Sequence, residues 1–158
     1  MVTLSGMTEH LLERSQLIAA ELPAVWTFFE NPHNLERITP SWLHFTIRHA
    51  TESPVRKGTL IAYRIRWQGI PMAWESRISE YREGEMFADE MIRGPYARWY
   101  HRHDFRATRN GVEVNDTVHY RLPFGGLGRL VERVLVRRHL DGIFDFRARA
   151  AAKILAGE

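Results

Sequence analysis

The chain has 158 residues, 44% of them hydrophobic and 26% charged, with no cysteine and a formal net charge of +3. This suits one globular domain over residues 1–158 with a real core, and it excludes disorder, a disulfide scaffold and a thiolate metal site. Lys57 and Lys153 are the only lysines, and the arginines are scattered rather than gathered in a patch, which argues against nucleic acid as a partner.

Residues His10 to Ala20 read as a half-buried strand. Before it, Met1 to Glu9 lacks the charged start and apolar stretch of a secretory signal, so a cytoplasmic protein is expected. No apolar run reaches the roughly 18 residues of a membrane-spanning helix. Pro23 then opens a short helix over Ala24 to Phe29, since proline is favourable in a first turn. Asn31-Pro32 stops it. A second short helix follows, about His33 to Ile38, and ends near Thr39-Pro40. Two such helices carry too little apolar surface for a bundle and suit a plug beside a sheet. Trp26 and Phe29 either close a cavity or pack the core; the sequence does not separate the two.

From Phe45 onward the hydrophobic period is two. Ile61, Tyr63, Ile65 and Trp67 alternate with small or charged residues. So do Met72, Trp74, Ser76 and Ile78, then Ala97, Trp99, His101, His103 and Phe105, then Val112, Val114, Asp116, Val118, Tyr120 and Leu122. Each run has one apolar-aromatic face and one charged face, as in an antiparallel sheet solvated on one side. Gly69-Ile70-Pro71, Glu83-Gly84, Gly94-Pro95 and Asn110-Gly111 mark the turns.

The last segment, Leu127 to Leu155, reads as helical. Its apolar stripe changes phase: Leu127, Leu130, Val131, Val134 and Leu135 share one face, and Leu140, Ile143, Phe144, Ala151, Ile154 and Leu155 another. One straight helix cannot bury both against a sheet, so a break or kink is expected around Val136 to His139. The first piece is then a flap, hinged at Gly125-Gly126-Leu127-Gly128. That glycine run lacks the lysine of a phosphate loop.

Turn chemistry sets an expected register. A two-residue Asn110-Gly111 loop pairs Phe105 with Asp116, His103 with Val118 and His101 with Tyr120. A Gln68 to Pro71 loop pairs Trp67 with Met72, Ile65 with Trp74 and Tyr63 with Ser76. A Glu83-Gly84 loop points Phe87, Asp89 and Met91 inward, whereas a Gly94-Pro95 loop points Glu90 inward. Proline suits the second loop position poorly, which favours Asp89. The inward face then holds Tyr63, Trp67, Trp74, Ser76, Asp89, Met91, Trp99, His101, His103, Phe105, Asp116 and Tyr120. A core packed for density avoids polar atoms. This mixture of aromatics, histidines and acids reads instead as the wall of a ligand cavity.

Three stretches carry a family resemblance: Pro32-His33-Asn34-Leu35-Glu36-Arg37-Ile38-Thr39-Pro40; Phe87-Ala88-Asp89-Glu90 with Gly94-Pro95-Tyr96; and Trp99-Tyr100-His101-Arg102-His103-Asp104-Phe105. With the element order, they make the chain resemble the START-like superfamily, which includes polyketide cyclases/dehydrases, coenzyme Q-binding proteins and lipid-transfer domains, and in particular a bacterial branch of it. The resemblance implies an α+β helix-grip fold of the START/Bet v 1-like kind. A curved antiparallel sheet would wrap a long C-terminal helix, with two short helices after the first strand. Family members share a cavity rather than a fixed catalytic set.

The sharpest chemical motif is His101-x-His103. Alternate residues of a strand share one face, roughly 7 Å apart. Two such imidazoles can share a metal; His119, the obvious third nitrogen, falls on the opposite face, Asp116, diagonal to His103, could substitute, and no metal or other cofactor is expected. His103 with Asp116 fits a general base oriented by a carboxylate, suited to cyclisation or dehydration. The leading expectation is a binding protein for a small hydrophobic molecule, such as a lipid, isoprenoid or polyketide. The aromatics would form the walls, His101, His103 and Asp116 would hold a polar end, and the flap after Leu122 would gate access. A cyclase/dehydrase using His103, His101 and Asp116 is the first alternative. A protein-interaction module using the basic C-terminal helix is the second. There Arg129, Arg133 and Arg137, spaced by four, would face an anionic membrane or protein.

Overall fold

The computed structural model describes residues 8–123 and 131–157. Seven strands form one curved sheet: β1 (His10–Ile18), β2 (Thr46–Ala50), β3 (Leu60–Trp67), β4 (Ile70–Arg82), β5 (Met86–Arg93), β6 (Arg98–Thr108) and β7 (Gly111–Arg121). Their order is β1-β7-β6-β5-β4-β3-β2, with every pair antiparallel. Consecutive hairpins build the sheet from β2 to β7, and β1 adds to β7 at the far edge. Strict alternation buries Val112, Val114, Asp116, Val118 and Tyr120 of β7 and leaves the residues between them partly exposed.

Between β1 and β2 lie α1 (Leu22–Phe29) and two 3-10 helices, Pro32–Ile38 and Ser41–Leu43. The sequence pattern predicts two short helices here; the third is a single turn that ends at His44 in the left-handed region. Asn31 caps the first 3-10 helix by accepting from the His33 amide at 3.1 Å. Asn34 donates back to the Phe28 carbonyl at 2.9 Å, which folds the two pieces against each other.

The long helix α2 (Arg137–Leu155) buries Leu140, Phe144 and Ala151. Arg14 of β1 pairs with Asp141, and Gln16 donates to the Ala148 carbonyl at 3.3 Å, so α2 is tied along β1. The phase change in the apolar stripe is real but sits earlier than Val136–His139. A π-helical turn, Glu132–Val136, leads straight into α2. Its wider turn rotates the side-chain phase without breaking the helix. The glycine run 125–128 lies outside the described residues. Among those residues no helix is long and apolar enough to cross a membrane.

Two hairpins differ in register from expectation, each by two residues. In β6–β7 the loop is Arg109-Asn110, and His103 pairs with Asp116, His101 with Val118, Trp99 with Tyr120. Gly111, at φ +129°, opens β7 instead of completing the turn. A Cβ there would lie 2.1 Å from the Ile18 carbonyl oxygen, so the glycine serves the close approach of β1. In β3–β4 the loop is Gln68-Gly69, both at positive φ, and Tyr63 pairs with Trp74. Pro71 sits inside β4, tolerated because β4 overruns β5 there: their pairing reaches only Glu75. A slip of two preserves the face of every side chain.

The choice between Asp89 and Glu90 is settled by bulges in β4–β5, at Ile78/Glu80 and at Glu75/Ser76. Neither loop has the two residues assumed from sequence. Asp89 faces the concave side, and Glu90 pairs with Arg77 at 3.7 Å on the other face.

Candidate functional site

A cavity of about 400 Å³ opens between the concave face of the sheet, the short helices and α2. It is bounded by two clusters of the core. One surrounds Val25, Phe28, Ile61, Phe87 and Phe105; the other surrounds Trp74, Trp99, Leu140 and Phe144. The walls are aromatic and aliphatic. Tyr63 and Trp74 stack at 5.6 Å, and Trp99 meets Trp74 edge-on at 5.3 Å. At one rim His139 contacts both Trp42 and Trp67 and lies 3.2 Å from Gln68 Nε2.

The polar part of the cavity is one connected group. His101 and His103 stand on β6 with ring centroids 3.9 Å apart. Asp116 lies opposite them on β7, with its Oδ1 2.9 Å from His101 Nε2 and 2.7 Å from His103 Nδ1. The second contact has ion-pair length but not the direction of a hydrogen bond. Asp89, from β5, pairs with His101 in register, and its Oδ2 lies 3.9 Å from His101 Nδ1 and 3.9 Å from His103 Nε2. Behind it runs a relay: Trp74 Nε1 donates to Ser76 Oγ at 3.0 Å, and Ser76 donates to Asp89 Oδ1 at 3.3 Å.

Burial by itself would raise both carboxyls, but hydrogen bonding and charge from the two histidines override it. Asp116 is held far below the usual carboxylate range, and Asp89 below it. Burial and the neighbouring His103 charge push His101 down. His103 is pushed up in spite of burial, because both carboxylates favour its charged form. Burial also pushes the Tyr63 phenol well up, so it stays a hydrogen-bond donor.

Of the residues expected on the wall, Tyr63, Trp67, Trp74 and Trp99 line the cavity, as do Ser76, Asp89, His101 and His103. Four do not line it. Phe105 lies under Trp26, Phe29 and Phe87, at the α1 end of β6. Tyr120 is fully buried beside Trp99 and Tyr96 and stacks on His10, because the two-residue slip moves it away from His101. Asp116 supports the histidines from behind. Met91 packs beside Gly94 and Trp74, displaced by the adjacent bulge.

Apart from Phe29, left open between cavity and core, the helical side of the wall is not evident in the sequence. Phe28 and Phe29 line the cavity while Trp26 packs the core against Tyr81, Phe87 and Phe105, which separates the two roles left open. From α2 come Leu140, Ile143, Phe144 and Arg147. Arg147 spreads its guanidinium 5.1 Å over Phe144, and its buried Nε has no hydrogen-bond acceptor among the described residues. Its signal was an arginine inside the apolar 140-144-151 stripe. Of the basic row, Arg137 is already engaged: it donates to the Leu11 carbonyl at 2.9 Å and pairs with Asp141. Arg129 and the Arg133 side chain lie outside the described residues.

Comparison with solved structures places this architecture among known folds. The chain is similar to the di-domain ARO/CYC StfQ from the steffimycin biosynthetic pathway (TM-score 0.74, 14% identity, 96% of this chain and 51% of that one). It is similar to norcoclaurine synthase from Thalictrum flavum, solved in complex with dopamine and hydroxybenzaldehyde (TM-score 0.70, 12% identity, 97% and 90%). It is also similar to Ara h 8.0201 (TM-score 0.62, 13% identity, 96% and 100%). These likenesses establish a shared helix-grip fold. A search of the curated proteins gives no match. A family model does match, over residues 18–144, from the end of β1 through the sheet and into α2. On that match, the chain belongs to the polyketide cyclase / dehydrase and lipid transport family.

Proposed function

We propose that this chain, as one START-like domain over 1–158, binds a small, largely hydrophobic molecule with a polar group at one end. The observation that carries this reading is a cavity with stacked aromatic walls and a polar cluster inside it. Its volume of about 400 Å³ lies within the usual range of small-molecule sites. Apolar walls supply affinity without direction, and a few placed polar groups fix orientation. Here Tyr63, Trp67, Trp74 and Trp99 are the walls, and Asp89, His101 and His103 hold the polar end. The phenol of Tyr63 remains a donor toward it. A lipid, isoprenoid or polyketide fits this description.

Native mass spectrometry of the purified chain, with extraction of bound material, is expected to show a discrete hydrophobic adduct. A hydrophobic fluorophore should compete with it. Truncating Trp99 to alanine should weaken that fluorophore about tenfold or more, as for a buried aromatic anchor. A clean apo mass together with no fluorophore binding overturns the reading.

One observation favours a second reading, a cyclase or dehydrase. His103 has a carboxylate on one nitrogen and faces the cavity with the other. That is the arrangement of an oriented general base. If the bound molecule is turned over, His103→Ala should lower kcat by about 10²–10⁴-fold while changing affinity only modestly. Turnover that survives the substitution removes His103 from the chemistry.

A further inference from the structure

From sequence the third ligand for the His-x-His motif is Asp116, since His119 falls on the outer face, but Asp116 stands behind the rings and does not line the cavity. The fold supplies one from a different strand. Asp89 on β5 stands directly across from His101 and turns Oδ2 toward both imidazoles. We propose that Asp89 Oδ2, His101 Nδ1 and His103 Nε2 form a binding site for one divalent first-row transition-metal ion.

Three observations carry this. The first is geometry. One donor atom from each residue lies within 4.8 Å of the others. Donors bound to one ion at about 2.0–2.1 Å with tetrahedral angles stand roughly 3.3 Å apart. The two carboxylate-to-imidazole separations are 3.9 Å and the imidazole donors lie within 4.8 Å of each other, so side-chain rotation about an ion has to bring them in to that value.

The second is support behind each ligand. Metal-bound histidines almost always give their other nitrogen to a carboxylate or carbonyl, which fixes ring orientation and tautomer. Here Asp116 shares a hydrogen bond with the remaining nitrogen of His101 at 2.9 Å and lies at ion-pair distance, 2.7 Å, from the remaining nitrogen of His103. The third ligand is also held. Ser76 binds the other oxygen of Asp89, and Trp74 binds Ser76. A core histidine pair that merely satisfies itself needs no such second layer on the facing carboxylate.

The third is charge and access. Two carboxylates flank the imidazoles, the half-buried Asp89 on the cavity side and the buried Asp116 behind them, so a dication between Asp89 and the rings meets negative charge. All three ligands line the cavity, so coordination positions left free point into it. Two nitrogens and one carboxylate suit zinc or ferrous iron, and are too nitrogen-rich for magnesium or calcium. The inference goes beyond ligand binding in the cavity and does not rest on it, since an ion can be loaded with the cavity otherwise empty.

The test uses the full chain, stripped with a chelator and dialysed, then titrated with Co²⁺ alone and with Zn²⁺ alone. Visible absorption reports the Co²⁺ environment, and calorimetry reports stoichiometry for both. One equivalent is expected, with an absorption band distinct from hexaaqua cobalt. Asp89→Asn should weaken binding about a hundredfold and abolish the band. Ser76→Ala, which removes a positioning residue, should weaken it by about ten- to a hundredfold. His119→Gln on the outer face should change nothing. Circular dichroism confirms that each variant is folded. If Asp89→Asn does not fold, the Ser76→Ala and His119→Gln pair still decides. No saturable binding overturns the proposal, and so does binding that Ser76→Ala and Asp89→Asn leave unchanged. The fluorophore experiment is run on metal-free protein, so failure of the ion site and failure of the cavity reading are separate results.

Discussion

Replacing Asp116 with alanine is expected to cost about 3–5 kcal/mol of stability, the scale for breaking a buried ion pair. The carboxylate is 7% exposed and contacts two imidazoles that are themselves buried. Removing it leaves His103 in an apolar setting with only Asp89 as a counter-charge, at 3.9 Å. Urea unfolding with an unchanged m-value measures the loss. Asp116→Asn keeps the volume and some hydrogen bonding, so it should fall between wild type and alanine. An alanine variant within about 1 kcal/mol of wild type would show that the contact is not made in solution. The same cluster sets the acid limit of the metal-free protein. Asp116 and Asp89 are held below their ordinary values, so the unfolded chain binds more protons as pH falls below about 5. Each then removes up to about 1.4 kcal/mol per pH unit. His101, also lowered, adds to this loss from about pH 6.5 downward. His103 has the opposite sign: its contribution is complete below about pH 6.5 and is lost as pH rises through its raised folded value. Asp116→Asn should therefore flatten the acid limb of the stability curve.

How much of this was legible in the sequence follows from parity. The two-residue period of β3, β4, β6 and β7 assigns each side chain to a face, and it survives a register slip of two. Hence Tyr63, Trp74, His101 and His103 were placed on the concave side although both hairpin registers were wrong. Face alone does not give position along the sheet. Tyr120 and Phe105 share the concave face with the histidines, yet one packs on His10 and the other under Trp26. The two slips have different origins: at β3–β4 the strand takes in Ile70 and Pro71, which the turn signal assigns to the loop, and at β6–β7 a glycine serves a demand other than the turn. Gly111 answers a close approach by β1, a long-range contact that no local pattern reveals. The bulges of β4–β5, which decide the inward acid, are likewise set by tertiary curvature. The helical wall was hidden for a different reason. Apolar residues on a stripe look alike whether they meet a sheet or a void, so Leu140 and Phe144 were read as packing. Only Arg147, a charge within that stripe, carried a distinguishing mark.

Trp26 separates core from cavity, and its substitution should show the difference in two readouts. It is 6% exposed and meets Tyr81, Phe87 and Phe105 at centroid distances of 5.6, 5.9 and 5.2 Å. Truncation to alanine is expected to cost about 3–5 kcal/mol, the range for a large aromatic removed from a packed site. Fluorophore affinity of the folded protein should stay within about threefold of wild type, because Trp26 does not line the cavity. Phe29 makes the contrast. It lines the cavity and contacts both His103 and Phe105, so Phe29→Ala should alter affinity as well as stability. A third substitution isolates the polar atom of Trp26. Its indole N–H is buried and has no acceptor among the described residues. An unpaired buried donor costs about 1–3 kcal/mol, which Trp26→Phe recovers while giving up part of the ring area. The two effects nearly offset, so Trp26→Phe should lie within about 1.5 kcal/mol of wild type. A phenylalanine variant as unstable as the alanine one would mean that the indole N–H is satisfied after all. Unchanged stability in Trp26→Ala, or a large loss of fluorophore affinity with it, would put Trp26 in the cavity wall instead of the core.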